Sequence, residues 1–229
     1  MGGVLGGAAV AAIAIVLLWG LGWVEPPEAL SRSLARRSAV SGGSAAEATV
    51  EAIPCPPLRR LRLYLVCTRG CSEVWRVVGV RGLRPILLSN PGRVPPEPPE
   101  EAQRRINDAL AGEGLVLDET GARAMIGCHM ALAGMYPDLI VNAMDRLRIE
   151  QAAGDEDRLR EFAESLLDPA AIERIRVNRA GDRWEATFDY WATELPDRPV
   201  YTLRVVLEAD GRLDTVETLP AGLSGREDG

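Results

Sequence analysis

The chain has 229 residues, of which 47% are hydrophobic and 26% charged, a composition typical of a folded protein and not of a disordered one. Its net charge is −7, and the acidic excess after residue 60 argues against nucleic-acid binding, because phosphates require a basic surface. All 26 basic residues are arginine, which we interpret as the codon bias of a GC-rich bacterial genome.

The first element is an apolar stretch from Val4 to Val24 that contains no charged residue and no proline. As a helix it would be roughly 31 Å long, close to the hydrocarbon thickness of a bilayer. The stretch lacks the basic n-region and the cleavage site of a signal peptide. We therefore predict an uncleaved transmembrane anchor over residues 1–27, a single-pass protein of the bacterial inner membrane, and membrane lipid as one partner.

Small and aromatic residues mark the two ends of this predicted helix. Gly3, Gly7 and Ala11 recur at four-residue spacing and form a stripe on which another helix could pack closely. The alternative is that Gly and Ala are simply common in membrane helices of such an organism. Trp19 and Trp23 lie one turn apart at the other end, where aromatic residues meet the membrane interface. The pattern predicts packing against other transmembrane subunits.

The remainder of the chain divides by composition, with Gly/Ser-rich and Pro-rich stretches between the apolar runs. The predicted segments are a juxtamembrane stem and linker over 28–49, a small β module over 50–90, a Pro-rich hinge over 91–99, an α+β domain over 100–220 and a flexible tail over 221–229. The predicted fold class is therefore α+β: one N-terminal transmembrane helix, a small β-hairpin module, then helices and a four-strand antiparallel meander.

Alternating residues in two runs, 61–65 and 74–80, predict the hairpin of the β module. Cys67 and Cys71 flank the tripeptide Thr-Arg-Gly between these runs. A three-residue loop that ends in glycine is a common hairpin connection, and it would place the two cysteines opposite each other near disulfide distance.

The four cysteines of the chain, Cys55, Cys67, Cys71 and Cys128, allow three pairings. We predict a Cys67–Cys71 bridge, which leaves Cys55 to pair with Cys128. One alternative is a metal site of Cys67, Cys71, Cys128 and His129, although adjacent Cys and His rarely reach one tetrahedral ion. Reduced structural thiols are the other. We predict no metal, no cofactor and no catalytic residue.

Two signals for the side of the membrane conflict. Arg32, Arg36 and Arg37 follow the predicted anchor, and the positive-inside rule would place the domain in the cytoplasm. Disulfides persist in oxidising compartments, so the cysteines indicate the opposite side. We predict an extracytoplasmic, periplasmic domain, with the cytoplasm as the alternative.

The C-terminal domain is predicted from helical periodicity followed by strand alternation. Helices are expected to begin near Pro99, Thr120, Pro137 and Gly154, with Ile140, Met144 and Leu147 facing inward in the third. In the second of four strands Trp184, Ala186, Phe188 and Tyr190 share one face, and in the third Tyr201, Leu203, Val205 and Leu207 share one. The hairpin at Asp210-Gly211 pairs Leu207 with either Asp214 or Leu213, and the sequence leaves this register open.

A helix followed by a four-strand meander resembles the cystatin-like and NTF2-like folds over roughly residues 98–219. The resemblance is one of architecture and implies no functional residue. It implies a membrane-tethered assembly domain of the kind found in bacterial secretion and transport machines.

The sequence contains no GxSxG, HExxH, Walker or GxGxxG motif, and we predict that the protein is not an enzyme. The function predicted first is that of an anchored, non-catalytic accessory or scaffold subunit of a bacterial membrane complex for transport, respiration or photosynthesis. One alternative is a tethered domain that binds a small apolar ligand in a cone-shaped cavity. Another is a thiol-redox or metal-binding protein that uses Cys67 and Cys71.

Overall fold

The computed structural model describes residues 14–40, 47–68, 74–90, 97–135, 139–166, 170–193 and 199–220. The chain forms two compact units, Met1–Leu115 and Val116–Gly229. The described residues are α+β with two antiparallel sheets, so the broad fold class is confirmed. The helix over Pro99–Ala111 belongs to the first unit, whereas the sequence pattern had placed it with the C-terminal strands.

The predicted transmembrane helix over Val4–Val24 is not supported. Helix α1 is described over residues 14–20 and passes into a turn in which Gly22 has a φ of +75°. Throughout the described ranges, no helix is long and apolar enough to cross a membrane. Gly20 and Gly22 lie inside the apolar run, and glycine readily ends a helix, so apolar composition alone placed the C-terminal end of this helix too late. Gly3, Gly7 and Ala11 lie outside the described residues.

The first unit is built on a four-stranded antiparallel meander. Its strands follow one another in space as they do in sequence: β1 (Ala48–Ile53), β2 (Leu61–Thr68), β3 (Val74–Arg81) and β4 (Arg84–Ser89). Register pairs Tyr64 with Val78 and Leu63 with Gly79. The predicted hairpin of β2 and β3 exists, but Cys67 lies opposite Trp75 and not opposite Cys71. The connecting residues 69–73 lie outside the described residues.

Helix α2 (Glu28–Ala39) packs against one face of this sheet. Its buried residues Ser31, Ala35 and Ala39 recur every four residues, and their small side chains let the helix approach the strands closely. The core beneath it consists of Ala48, Tyr64, Val66, Val78 and Val80. The segment predicted as a juxtamembrane stem thus contributes a core layer of the first unit. Small residues hid this role, because they carry little hydrophobic signal.

Helix α3 (Pro99–Ala111) lies on the other side of the sheet. Arg81 pairs with Leu61 and therefore points away from the Tyr64 face. Its guanidinium donates to the Ala109 carbonyl and to Glu113 Oε1, at 3.0 Å for the latter. The sheet is therefore covered by a helix on each face, and both sets of alternating residues in β2 are largely buried.

The second unit contains three helices and five strands within the described residues. Its elements in chain order are α4 (Glu119–Leu132), β5 (Ile140–Val141), α5 (Ala143–Gln151), α6 (Glu156–Leu166), a 3₁₀ turn at Ala171–Arg174, β6 (Val177–Ala180), β7 (Arg183–Trp191), β8 (Val200–Glu208) and β9 (Leu213–Leu219). The predicted meander of four strands, β6 to β9, is confirmed. The short strand β5 was not predicted, and it pairs with the end of β7.

Register in this sheet follows the predicted faces. Trp184 lies opposite Leu207, and Phe188 lies opposite Leu203, with all four side chains buried. The β8–β9 hairpin pairs Leu207 with Leu213 through a register shift, and Gly211 has a φ of +82° in its turn. Of the two registers left open, the one that keeps a leucine on the core face is formed.

Helix α5 begins later than predicted and faces a different way. Asn142 caps it, because its side-chain oxygen accepts from the Met144 and Asp145 amides at 2.9 Å each. Ile140 lies in β5, opposite Tyr190. Met144 and Leu147 are exposed and Ile149 is buried, so the predicted inward face is wrong. The buried side of the helix is instead formed by Asp145 and Ile149, which are four residues apart.

Candidate functional site

An apolar surface is exposed at the N-terminal end of the described chain. Its members are Ile15, Val16, Leu17, Leu21, Trp23 and Val24, and Trp23 is the most open at 75% of its full exposure. Single exposed apolar residues are ordinary, but several large ones within one short segment are typical of an interaction site. Of the two tryptophans predicted for a membrane interface, Trp23 belongs to this apolar surface and Trp19 is half-buried.

The end of α1 is fastened to the turn between β3 and β4. The Trp19 carbonyl accepts from the Leu83 amide at 3.1 Å and from the Gly22 amide at 3.0 Å. Gly82 has a φ of +54°, and a Cβ there would lie 1.7 Å from the Trp19 oxygen. The close approach of the two backbones therefore requires glycine at this position. This contact fixes the end of α1, and with it the position of the residues of the apolar surface that follow Trp19.

A polar pocket of about 220 Å³ follows directly after the apolar surface in sequence. Glu25, Glu28 and Arg62 line part of it: Arg62 donates to Glu25 Oε2 at 2.5 Å and to Glu28 Oε2 at 2.6 Å. Tyr64 donates its hydroxyl to the same Glu28 oxygen at 3.0 Å. The aliphatic side chains of Ile53, Leu58 and Leu63, among others, line the rest.

The charges of this pocket are fixed by their contacts. Hydrogen bonding to Glu25 is the main cause that raises the pKa of Arg62, and Glu28 adds to it. Burial and the bond to Glu28 raise the pKa of Tyr64, so its phenol stays protonated at neutral pH. Arg32 Nη2 also lies 3.5 Å from Glu28 Oε1, so the cluster contains two carboxylates and two guanidiniums and is close to neutral. It places a partly exposed group of ion pairs beside the apolar surface.

Sequence reasoning missed this cluster. Glu25 looked like the end of an apolar helix, and Arg62 looked like a residue on the solvent face of a strand. Helical spacing gave no signal, because α2 begins at Glu28 and Glu25 lies before it. Nothing in the sequence indicated that β2 would bring Arg62 to the same place.

The three cysteines that the structure describes are oxidised. Cys55, Cys67 and Cys128 are each in a disulfide, so a disulfide is present as predicted. Cys71 lies outside the described residues, and the predicted pairing stays a prediction. The alternative metal site is not supported, because a cysteine in a disulfide offers no thiolate to a metal. Within the described residues no group of three His, Cys, Asp or Glu side chains could hold a metal ion.

His129, the single histidine of the chain, is buried in α4. Its Nε2 lies 2.9 Å from the Gly211 carbonyl oxygen, to which the neutral ring donates a proton. This bond ties the helix to the β8–β9 turn. Burial lowers the pKa of His129 below 6.5, and the bond to Gly211 offsets part of that effect.

We expect the second unit to lose stability as the pH falls below about 6.5. The unfolded chain would bind a proton at His129 there, and the folded chain would not, because its pKa is lowered. The slope should not exceed about 1.4 kcal/mol per pH unit for one proton. Urea unfolding at pH 7.5 and 5.5 measures it. The variant His129→Gln should be less stable but show a smaller loss, and an equal loss in both proteins would contradict the assignment.

A second buried polar cluster joins α5 to the sheet. Arg146 Nη1 donates to Asp189 Oδ1 at 2.9 Å and to Thr202 Oγ1 at 2.8 Å, and Thr202 donates to Asp189 at 2.7 Å. All three side chains are largely buried and satisfy one another, which is typical of a structural network. The aromatic residues Tyr190 and Trp191 nearby in β7 are buried and pack in the core.

No family model matches the chain, and comparison with curated proteins and with solved structures likewise finds no match. The arguments about function therefore depend on the surfaces and contacts described above.

Proposed function

We propose that the protein is a non-catalytic accessory or scaffold subunit that binds a partner subunit of a bacterial membrane complex for transport, respiration or photosynthesis. The observation that carries the proposal is the apolar surface at residues 15–24, which ends at the ion pairs of Glu25 and Glu28 with Arg62. A spanning helix of this chain is no part of the proposal.

The chemistry of the site indicates the chemistry of its partner. An exposed group of large apolar side chains, Leu21 and Trp23 among them, would gain free energy by burial against a second apolar surface. Trp is among the residues that most often dominate binding energy at interfaces. The side chain of Glu25 is 55% exposed beside this surface and paired with Arg62, so the site would favour a partner whose apolar face has a polar rim.

The oxidised cysteines support a proposed location on the extracytoplasmic side of the inner membrane. Disulfides are rare where glutathione and thioredoxin keep thiols reduced, and they persist in the periplasm. Cys55, Cys67 and Cys128 are each in a disulfide. Thiol counting on protein extracted without reductant, with and without denaturant, tests this proposal, and free thiols in place of disulfides would contradict it.

The test of partner binding is a double substitution at the apolar surface. The tagged full chain is extracted from its native cells in mild detergent, and the mass of the purified particle is measured. Leu21→Glu with Trp23→Glu should reduce the recovered partner at least about tenfold, because a buried charge opposes association. The matched control is Val116→Glu with Met144→Glu, which changes two other exposed apolar residues and should retain the partner.

Two results would contradict the proposed function. One is a wild-type particle with the mass of this chain alone. The other is an equal loss of partner in the double variant and in its control. Near-ultraviolet circular dichroism on both variants verifies that the units remain folded.

A further inference from the structure

Strand β9 is the edge of the second sheet and is exposed on both faces. It pairs with β8, and among the described strands no other neighbour lies beyond it. Its residues from Asp214 to Glu217 are exposed, including Val216 at 52% of its full exposure. An edge strand presents a row of backbone groups that can form hydrogen bonds with another strand. Proteins usually protect such edges, so an open one is informative.

The carboxylates of β9 protect the edge only in part. Edge strands commonly avoid pairing through charged side chains. Here Asp214 lies 3.1 Å from Arg183 Nη1, and Glu217 lies 3.5 Å from Arg204 Nη1, although these arginines also pair with Glu208 and Glu185 of their own sheet. The acids of β9 are therefore neutralised in part, and pairing of two copies requires a register in which no carboxylate faces another.

The order of residues in β9 suits pairing with itself. In an antiparallel pair about a two-fold axis at Val216, that residue lies opposite its own copy. Asp214 then faces Thr218, and Thr215 faces Glu217, so no carboxylate opposes a carboxylate. An axis at Thr215 would instead place Asp214 opposite Val216 and Glu217 opposite Leu213, so that each carboxylate faces an apolar side chain. An axis at Glu217 would place that residue opposite itself.

We propose that β9 is a homodimerisation strand, which pairs antiparallel with β9 of a second copy about an axis at Val216 and joins two sheets into one. Such a contact is isologous, because both copies use the same surface. The pairing does not depend on the apolar surface at residues 15–24, so the proposal stands independently of the proposed function.

The test is sedimentation equilibrium of the full chain in mild detergent. The variant Val216→Lys places two like charges opposite each other at the axis and should raise the dimer dissociation constant at least about tenfold. Val116→Lys is the matched control, since it makes the same change at an exposed valine of the same unit and should leave the constant unchanged. Thr215→Lys faces Glu217 of the other copy twice and should tighten the dimer roughly fivefold.

Each outcome bears on the proposal. A mass for Val216→Lys that is half that of the wild type, with a tighter dimer for Thr215→Lys, supports it. A wild-type chain whose mass is that of one copy at all concentrations overturns it. A Val216→Lys variant with the same mass as the wild type also overturns it, because association must then use another surface.

Discussion

The variant Glu113→Gln is expected to destabilise the first unit by about 3 kcal/mol or more. The Glu113 carboxylate is fully buried: Oε1 accepts from Arg81 at 3.0 Å, and Oε2 accepts from the Arg60 amide at 2.9 Å. An amide of the same shape would direct its NH₂ group toward one of these donors in either orientation. Removing one partner also leaves the partly buried guanidinium of Arg81 without its counter-charge, which is the costly way to disrupt such a pair.

Hydrogen exchange of the β2 and β3 amides, measured as a function of urea, follows the first unit separately. The control Glu51→Gln changes an exposed carboxylate on β1 and should alter the free energy of unfolding by less than about 0.5 kcal/mol. If Glu113→Gln changed the free energy of unfolding as little as this control, the carboxylate would not be what joins the strands to the end of α3.

The second large effect is expected at Gly82. In Gly82→Ala the new Cβ would meet the Trp19 carbonyl oxygen at 1.7 Å, a distance that no side-chain rotation can relieve. The end of α1 must therefore leave the β3–β4 turn, and the hydrogen bond from the Leu83 amide to Trp19 is lost. We expect protection of the Leu83 amide against hydrogen exchange to fall at least about tenfold, which corresponds to the loss of about one hydrogen bond.

The control variant Gly181→Ala separates backbone strain from the collision with Trp19. Gly181 also has a positive φ, +68°, but a Cβ there would meet no atom within 4 Å. It therefore bears only the backbone strain of about 1–2 kcal/mol, without the collision. If alanine at 82 and at 181 gave equal local losses, the contact with Trp19 would not be what holds α1.

The second unit was largely predictable from sequence because its signals are local. Alternation in β7 and β8 is sufficient to assign Trp184 and Leu207 to the buried face, and Asp210-Gly211 marks the turn between β8 and β9. The remaining uncertainty, Leu213 or Asp214 as the partner of Leu207, depended on a register shift of one residue. Local periodicity does not contain that information, because packing of the whole sheet selects between nearly equal turns.

The first unit was predictable only in part because its decisive contacts are long-range. Arg62 meets Glu25 and Glu28 across more than thirty residues of chain. Ser31, Ala35 and Ala39 show no apolar stripe, yet they are the buried side of α2. The apolar run before them predicted one long helix, although Gly20 and Gly22 within that run mark the end of α1. The Cys67 register failed for a related reason, since loop length cannot be read from loop residues alone.

The helix that covers Tyr64, Val66 and Val78 has a practical consequence for recombinant work on this protein. A truncation that starts after residue 45, the obvious choice if residues 28–40 were a dispensable stalk, would delete α2 and expose that apolar sheet face to solvent. Such a fragment is prone to aggregate, and its poor yield would be misread as instability of the remaining domain.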